Sequence, residues 1–298
     1  MKHSARNFLV VFLVSIVLFS VLAFFLMQYI SDMLIPTTIS DEGGDPTVTT
    51  PETEAVIPTE DSSALSYLIL GLDEFGAADY ILLNQIDRHA STFLISDLPA
   101  NLLLDLDARE QMLGDTAKTR DINFVREKVY ALTAVEIDYI FCVEADGFVD
   151  LVDQFGGFEF DVPCNMNQSE PDRGIQIDLA KGKQHLDGAK ALQVLQFSDY
   201  ETNVGLSRSE TFRAMMLAMC RGILTAENNL MRTSEMLPEL FCDFTTDMTI
   251  EEANGYLDTL FSFDSYTVEE FTYPGKSEGD FYRADIDAAL ESYKPYRA

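Results

Sequence analysis

Enzyme chemistry needs particular side chains at particular spacings, and this chain of 298 residues lacks most of the familiar sets. It contains no glycine-rich phosphate loop, no Gly-x-Ser-x-Gly elbow and no His-Glu-x-x-His pair. Its histidines are His3, His89 and His185, a spread that gives no support to a histidine-based triad. The cysteines Cys142, Cys164, Cys220 and Cys242 form no Cys-x-x-Cys pair, which argues against zinc and thioredoxin-type redox chemistry. An even count permits disulfides without fixing any pairing, and Cys142 sits in an apolar run where a free thiol behaves as a small hydrophobe. Asp73 and Asp79 lie between two apolar runs, and Arg208 lies near the start of a helical pattern. By residue type alone the aspartates suit turns and the arginine suits a surface ion pair. Met215, Met216 and Met219, on one side of that helical pattern, suit a core.

The elements that must position these residues are readable. The most regular stretch is Ile137 to Val162. Ile137–Val143 is rich in β-branched and aromatic residues and reads as a buried strand. Asp146 can cap a helix whose apolar residues Phe148, Leu151, Val152 and Phe155 recur at i, i+3, i+4 and i+7. Gly156-Gly157 ends that helix, because glycine takes the left-handed backbone without a Cβ clash. Phe158, Phe160 and Val162 then alternate with Glu159 and Asp161, giving a strand with one oily face. Strand, one-sided helix and strand make a unit able to seed a mixed α/β core. Ser66–Gly71, Tyr80–Asp87 and Ala90–Ser96 read as earlier strands, the last two as a hairpin turning at Arg88-His89. Ile122–Val135 and Ser207–Leu224 read as helices, and Asn165–Gly174 as a polar loop.

Ahead of the strands, Phe8–Ile30 runs for 23 residues without a charge. As a helix it would span ~34 Å, more than the ~30 Å of a hydrocarbon core. No small-x-small cleavage site follows, so the expectation is a retained single-pass anchor, with residues 1–7 (Lys2, His3, Arg6) cytoplasmic and the rest outside. Residues 31–64, rich in Pro, Thr, Glu and Asp, read as a flexible stalk. Residues 65–298 are then one folded domain, long enough for one sizeable core. The whole chain carries −30; since Lys2 and Arg6 are the only charges among the first 30 residues, the remainder carries −32. Such a surface repels nucleic acid and anionic lipid, and nucleic acid is not expected as a partner.

The run IDYIFCVEADGFVDLVDQFGGFEFDVP resembles the central block of the LytR-CpsA-Psr family of cell-envelope proteins. LGLD followed by AADYILL is similar to that family's first block, SDLPAN to its Ser-Ile-Pro-Arg-Asp, and the segment from Ile177 to Ser198 to one ending in paired arginines. FTYPG and DFYRADIDAAL resemble its closing turn and helix, so the likeness covers about residues 65–295. It implies an α/β fold with a central mixed sheet and helices on both faces. It also implies a polyprenyl-pyrophosphate ligand, held by arginines and Mg²⁺ while a glycopolymer passes to peptidoglycan. Asp73 and Asp79 match the acidic positions, one of which helps hold Mg²⁺, and Arg208 matches an arginine of the site; each equally suits a turn or a surface pair. Five arginine positions of the family are occupied by Ala77, Ala100, Gln196, Ser198 and Gly205. Lys118, Arg120, Arg126 and Arg213 are the bases available as substitutes. The expectation is an envelope protein binding a polyprenyl-phosphate-type lipid or a wall partner with a degraded site. The alternatives are an active Mg²⁺-dependent phosphotransferase and an envelope sensor or regulator.

Overall fold

The structure is a computed structural model. It describes residues 64–297 apart from 107–108, 172–173, 201–206 and 225–228. The expected cytoplasmic end, anchor and stalk lie outside the described residues; among those described, no helix is long and apolar enough to cross a membrane.

Three long strands open the fold: β1 (Ala64–Leu72), β2 (Ala78–Asp87) and β3 (Thr92–Leu98). They form an antiparallel meander, with Leu68 opposite Leu83 and Ile86 opposite Phe93. The hairpin turns through residues 88–91, with Ser91 at a φ of 53°. A short hairpin follows, β4 (Leu103–Leu106) and β5 (Arg109–Met112), then helices α1 (Leu113–Thr119) and α2 (Ile122–Thr133). Next come β6 (Tyr139–Glu144), α3 (Ala145–Gln154) and four short strands: β7 (Phe158–Val162), β8 (Met166–Glu170), β9 (Ile175–Leu179) and β10 (Gly182–Leu186). The chain continues through α4 (Gly188–Gln196), α5 (Arg208–Leu224), α6 (Asn229–Leu240), β11 (Phe244–Thr246) and α7 (Ile250–Phe261). It closes with β12 (Thr267–Thr272), the hairpin β13 (Gly275–Glu278) and β14 (Phe281–Ala284), and α8 (Ile286–Ser292).

The main sheet has six strands in the order β11-β6-β1-β2-β3-β12. It is mixed: β6 joins β1, and β12 joins β3, in parallel, while the other pairs are antiparallel. Period-two alternation sends Leu68, Leu70, Ile81 and Leu83 into a core shared with α1, α2 and α8. Leu82, Ile86, Phe93 and Ile95 go to the opposite face, into a core shared with α3, α4, α5 and strands β7–β10. A third cluster, with Tyr139, Leu240 and Leu257, packs α6 and α7 over the β11 edge. The expected arrangement, a mixed sheet with helices on both faces, is what forms.

Several local expectations need correction. The strand Phe158–Val162 forms with its expected alternation but stays out of the main sheet and pairs with β10. Its alternation differs from that of the central strands: β2 and β3 are buried on nearly every residue, whereas Glu159 and Asp161 are exposed. The polar stretch Asn165–Gly174 is not all loop, since β8 pairs with β9 through Met166–Leu179 and Gln168–Ile177. Helix α3 begins at Ala145, with Glu144 at its N-cap position, so Asp146 lies in its first turn rather than capping it. All four cysteines are free thiols.

The double glycine ends α3 as its residue type requires. Gly156 has a φ of 82° and Gly157 of 79°, and their amides bond back to Asp153 and Val152. The two differ in surroundings. A Cβ on Gly156 would meet nothing within 4 Å, while one on Gly157 would lie 2.3 Å from the carbonyl oxygen of Leu186. Gly156→Ala is therefore expected to lower unfolding free energy by ~1–2 kcal/mol, the strain of a left-handed alanine. Gly157→Ala adds a backbone clash and should cost ~3 kcal/mol or more. Urea denaturation of both variants checks this, and equal losses would refute the close-approach account.

Candidate functional site

A cleft of about 430 Å³ opens at the carboxyl ends of β1 and β3 and the amino end of β2. In α/β sheets this is where strand ends and helix starts leave room for a ligand. Asp73 enters from the turn after β1, Asp79 and Tyr80 from the start of β2, and Asp97 from the end of β3. Ala100 and Asn101 follow from the next loop, Asp115 from α1, and Arg208 and Ser209 from the first turn of α5. The three residues expected of a site, Asp73, Asp79 and Arg208, are thus gathered into one cleft, although 129 positions separate Asp79 from Arg208 in sequence.

Each is held differently. Asp73 is a turn former: its Oδ1 accepts the amides of Phe75 and Ala77, both at 2.8 Å, leaving Oδ2 for a ligand. Asp79 is exposed on β2. Arg208 lies against Tyr80, its Cζ 4.5 Å from the ring centroid, with Nε and Nη2 donating to the phenol oxygen at 3.1 and 2.6 Å. Tyr80 in turn donates to the carbonyl of Leu195 on α4 and packs on Phe212 of α5, ring centroids 4.3 Å apart. Burial pushes the Tyr80 hydroxyl up, against the pull of Arg208, so the phenol is neutral at physiological pH.

Asp97 lies at the cleft floor, 5% exposed, in an ion pair with Arg213, also 5% exposed. Glu270 of β12 stands 3.7 Å from Arg213 Nε. Burial lowers the Arg213 pKa, and Glu270 opposes that shift. Arg213 is thereby committed to the floor. The other bases named as substitutes have contacts of their own. Lys118 sits over the Phe75 ring, Arg120 over Phe124, and Arg126 pairs with Asp247. None of the four is among the residues lining the cleft. Among the described residues in that lining, Arg208 is the one base beside four carboxylates, Asp73, Asp79, Asp97 and Asp115.

Of the five neutral positions, Ala77 and Ala100 line the cleft. Ser198 exchanges hydrogen bonds with Gln168 at 2.9 and 3.0 Å, and Gln196 ends α4. Gly205 falls outside the described residues. Among the described residues no three His, Cys, Asp or Glu side chains converge in a way that would hold a metal ion by themselves. Met215, Met216 and Met219 are buried in the core beneath α5. Residue-by-residue reading missed Tyr80, Asp97 and Asp115. A usable signal was Arg213, a base inside an otherwise apolar helix face, which demands a buried acidic partner.

A sequence model of the LytR_cpsA_psr family matches residues 37–294. The polyisoprenyl-teichoic acid–peptidoglycan teichoic acid transferase TagV of Bacillus subtilis (strain 168) is 23% identical over 228 residues, 70% of this chain and 56% of that relative. The chain therefore spans little more than half the length of that protein. The crystal structure of B. subtilis TagV superposes with a TM-score of 0.67 at 17% identity, covering 79% of this chain and 97% of that one. TagT bound to LIIa-WTA superposes with a TM-score of 0.62 at 16% identity, covering 78% and 89%. At these identities the superpositions establish the shared fold.

The buried pair gives a test of the cleft floor. Arg213→Met leaves Asp97 buried without its partner and should destabilise the protein by ~3–5 kcal/mol. Adding Asp97→Leu removes the stranded carboxylate, and the double variant should recover most of that loss by chemical denaturation. A double variant no more stable than Arg213→Met would refute the pairing.

Proposed function

The chain belongs to the LytR_cpsA_psr family, and from that premise we propose that it is a cell-envelope protein whose cleft holds the headgroup of a polyprenyl-phosphate-type lipid without efficient transfer. The observation that carries this reading is the balance of the lining, Arg208 against Asp73, Asp79, Asp97 and Asp115, with the Asp97 charge matched by Arg213. A diphosphate is multiply anionic, and its transfer builds further charge on the leaving oxygen. Charge-assisted contacts contribute about 1.5–3 kcal/mol each. Lacking even three of them forfeits roughly 4–9 kcal/mol, several decades of affinity.

The ligand class comes from relatives: the name of TagV specifies a polyisoprenyl-linked teichoic acid and a peptidoglycan acceptor. In this chain Arg208 would hold a phosphate oxygen, and the neutral Ala77 and Ala100 would leave the headgroup room without gripping it. The protein would sit on the cell membrane through residues 8–30, with residues 65–298 extracytoplasmic beyond the 31–64 stalk. A cell-wall glycopolymer or peptidoglycan would then be within reach as partner.

A second reading, an active phosphotransferase, is favoured by one observation, the gathering of Asp73, Asp79 and Arg208 in one cleft. The donor set fits Mg²⁺, which takes one or two carboxylates and completes its shell with water and phosphate oxygens. Asp79 and the Oδ2 of Asp73 would hold the ion. When bound, it would neutralise charge on the phosphates. Arg208 would orient the headgroup, and the buried Asp97–Arg213 floor would keep α5 seated.

Mass spectrometry of lipid co-purifying with the full chain decides between these. Wild type is expected to carry polyprenyl phosphate, and Arg208→Ala to retain less than about a tenth of it. Transfer from a polyprenyl-pyrophosphate-linked oligosaccharide to peptidoglycan, assayed with Mg²⁺, is expected to stay at background. Robust transfer abolished by Asp79→Ala would establish the second reading instead. A wild-type protein carrying no lipid and showing no transfer would remove both.

A further inference from the structure

The hydrogen bonding of Tyr80 is complete. A phenol oxygen offers one proton and two lone pairs. The proton goes to the carbonyl of Leu195, and the lone pairs receive Nε and Nη2 of Arg208 at 3.1 and 2.6 Å. The ring cannot drift from this pose easily, because it packs on Phe212 and carries the guanidinium on its face. Its backbone is fixed opposite Gly71 in the β1–β2 ladder, and a Cβ on Gly71 would already lie 3.3 Å from Tyr80 Cβ.

A guanidinium grips phosphate two oxygens at a time along either of two edges, Nε with Nη2 or Nη1 with Nη2. Here the first edge is taken by the phenol oxygen. The second is left for a ligand in the cleft that Arg208 lines. Beyond it, the lining offers a second phosphate no other base among the described residues, only the carboxylates Asp73, Asp79 and Asp115.

We propose that Tyr80 is a positioning residue that sets the headgroup specificity of this cleft: by occupying one edge of Arg208 it restricts the site to a single phosphate group. The cleft thus takes a phosphomonoester-type headgroup and gains nothing from a diphosphate. This rests on the reading of the cleft as a phosphate site and specifies which phosphate class it takes. Tyr80→Phe is the informative variant, since it keeps the ring, the stacking and the packing on Phe212 while releasing the Nε–Nη2 edge.

The test is isothermal titration of the full chain in neutral detergent with orthophosphate and with pyrophosphate, without Mg²⁺. Wild type is expected to bind the two anions within about threefold of each other. Tyr80→Phe is expected to bind pyrophosphate about tenfold more tightly than wild type, with orthophosphate moving less than about threefold. The ratio of the two affinities is the readout, because a general loss of folded protein lowers both together. Wild type preferring pyrophosphate tenfold, a variant weakened toward both anions, or no binding of either anion by either protein would each overturn the proposal. Lipid recovery is a separate measurement: a variant that gains pyrophosphate while no polyprenyl lipid co-purifies keeps the specificity role and removes the lipid reading.

Discussion

A buried guanidinium and a buried carboxylate, Arg213 and Asp97, join α5 to the end of β3, and the cleft depends on that junction. Five residues along a helix amount to about 7.5 Å of rise and roughly 140° of rotation. Arg213 pointing inward at the sheet therefore leaves Arg208 at the start of the helix, on a different face, where it meets Tyr80 and the cleft. A charged pair in this position is poor stabilisation in itself, because removing both charges from water offsets most of their attraction. Its consequence is geometric. An apolar contact would tolerate α5 sliding along the sheet, whereas a guanidinium bonded to Asp97 must stay with that carboxylate.

The same junction limits what the cleft can bind. Arg213 is near enough to Asp97 to cancel its charge, and is unable to leave it without stranding a buried carboxylate. The Asp97 charge is therefore largely offset, and among the other lining residues the field a ligand meets comes from Asp73, Asp79, Asp115 and Arg208. Arg208 is itself half occupied. Binding an anion along its free edge preserves the Tyr80 contact, while binding along the other edge must displace a neutral phenol held at both ends.

Much of the architecture was legible in sequence because it rests on periodicity. The β1–β2–β3 meander is written in runs of Leu, Ile and Phe, and α3 and α5 in their apolar stripes. Pattern alone says which face of Phe158–Val162 is buried, and pairing depends on what else needs cover. That is why β7 was legible as a strand but not as the partner of β10. Strand β8, Met-Asn-Gln-Ser-Glu, has the composition of a loop; it is a strand because β9 supplies a ladder. That Asp73, Asp79 and Arg208 would lie in one cleft was legible through family resemblance. Tyr80 and Asp97 were not, since their roles come from partners more than a hundred residues away, Arg208 and Arg213.

The acidity of the chain bears on the cleft only locally. At physiological ionic strength charges are screened over ~8 Å, so the −30 of the whole chain is felt by a headgroup mainly through the carboxylates beside it. Those carboxylates act in two opposite directions. They repel a phosphate directly, and they raise the local concentration of divalent cations that can bridge carboxylate and phosphate. Arginines built into a pocket make phosphate binding independent of the medium. A cleft that presents Asp73, Asp79 and Asp115 around one half-occupied arginine opposes an anion at three points and meets it at one. Ala77 and Ala100, which line the same cleft, contribute space and no charge, so the balance of the lining rests on those three carboxylates and Arg208.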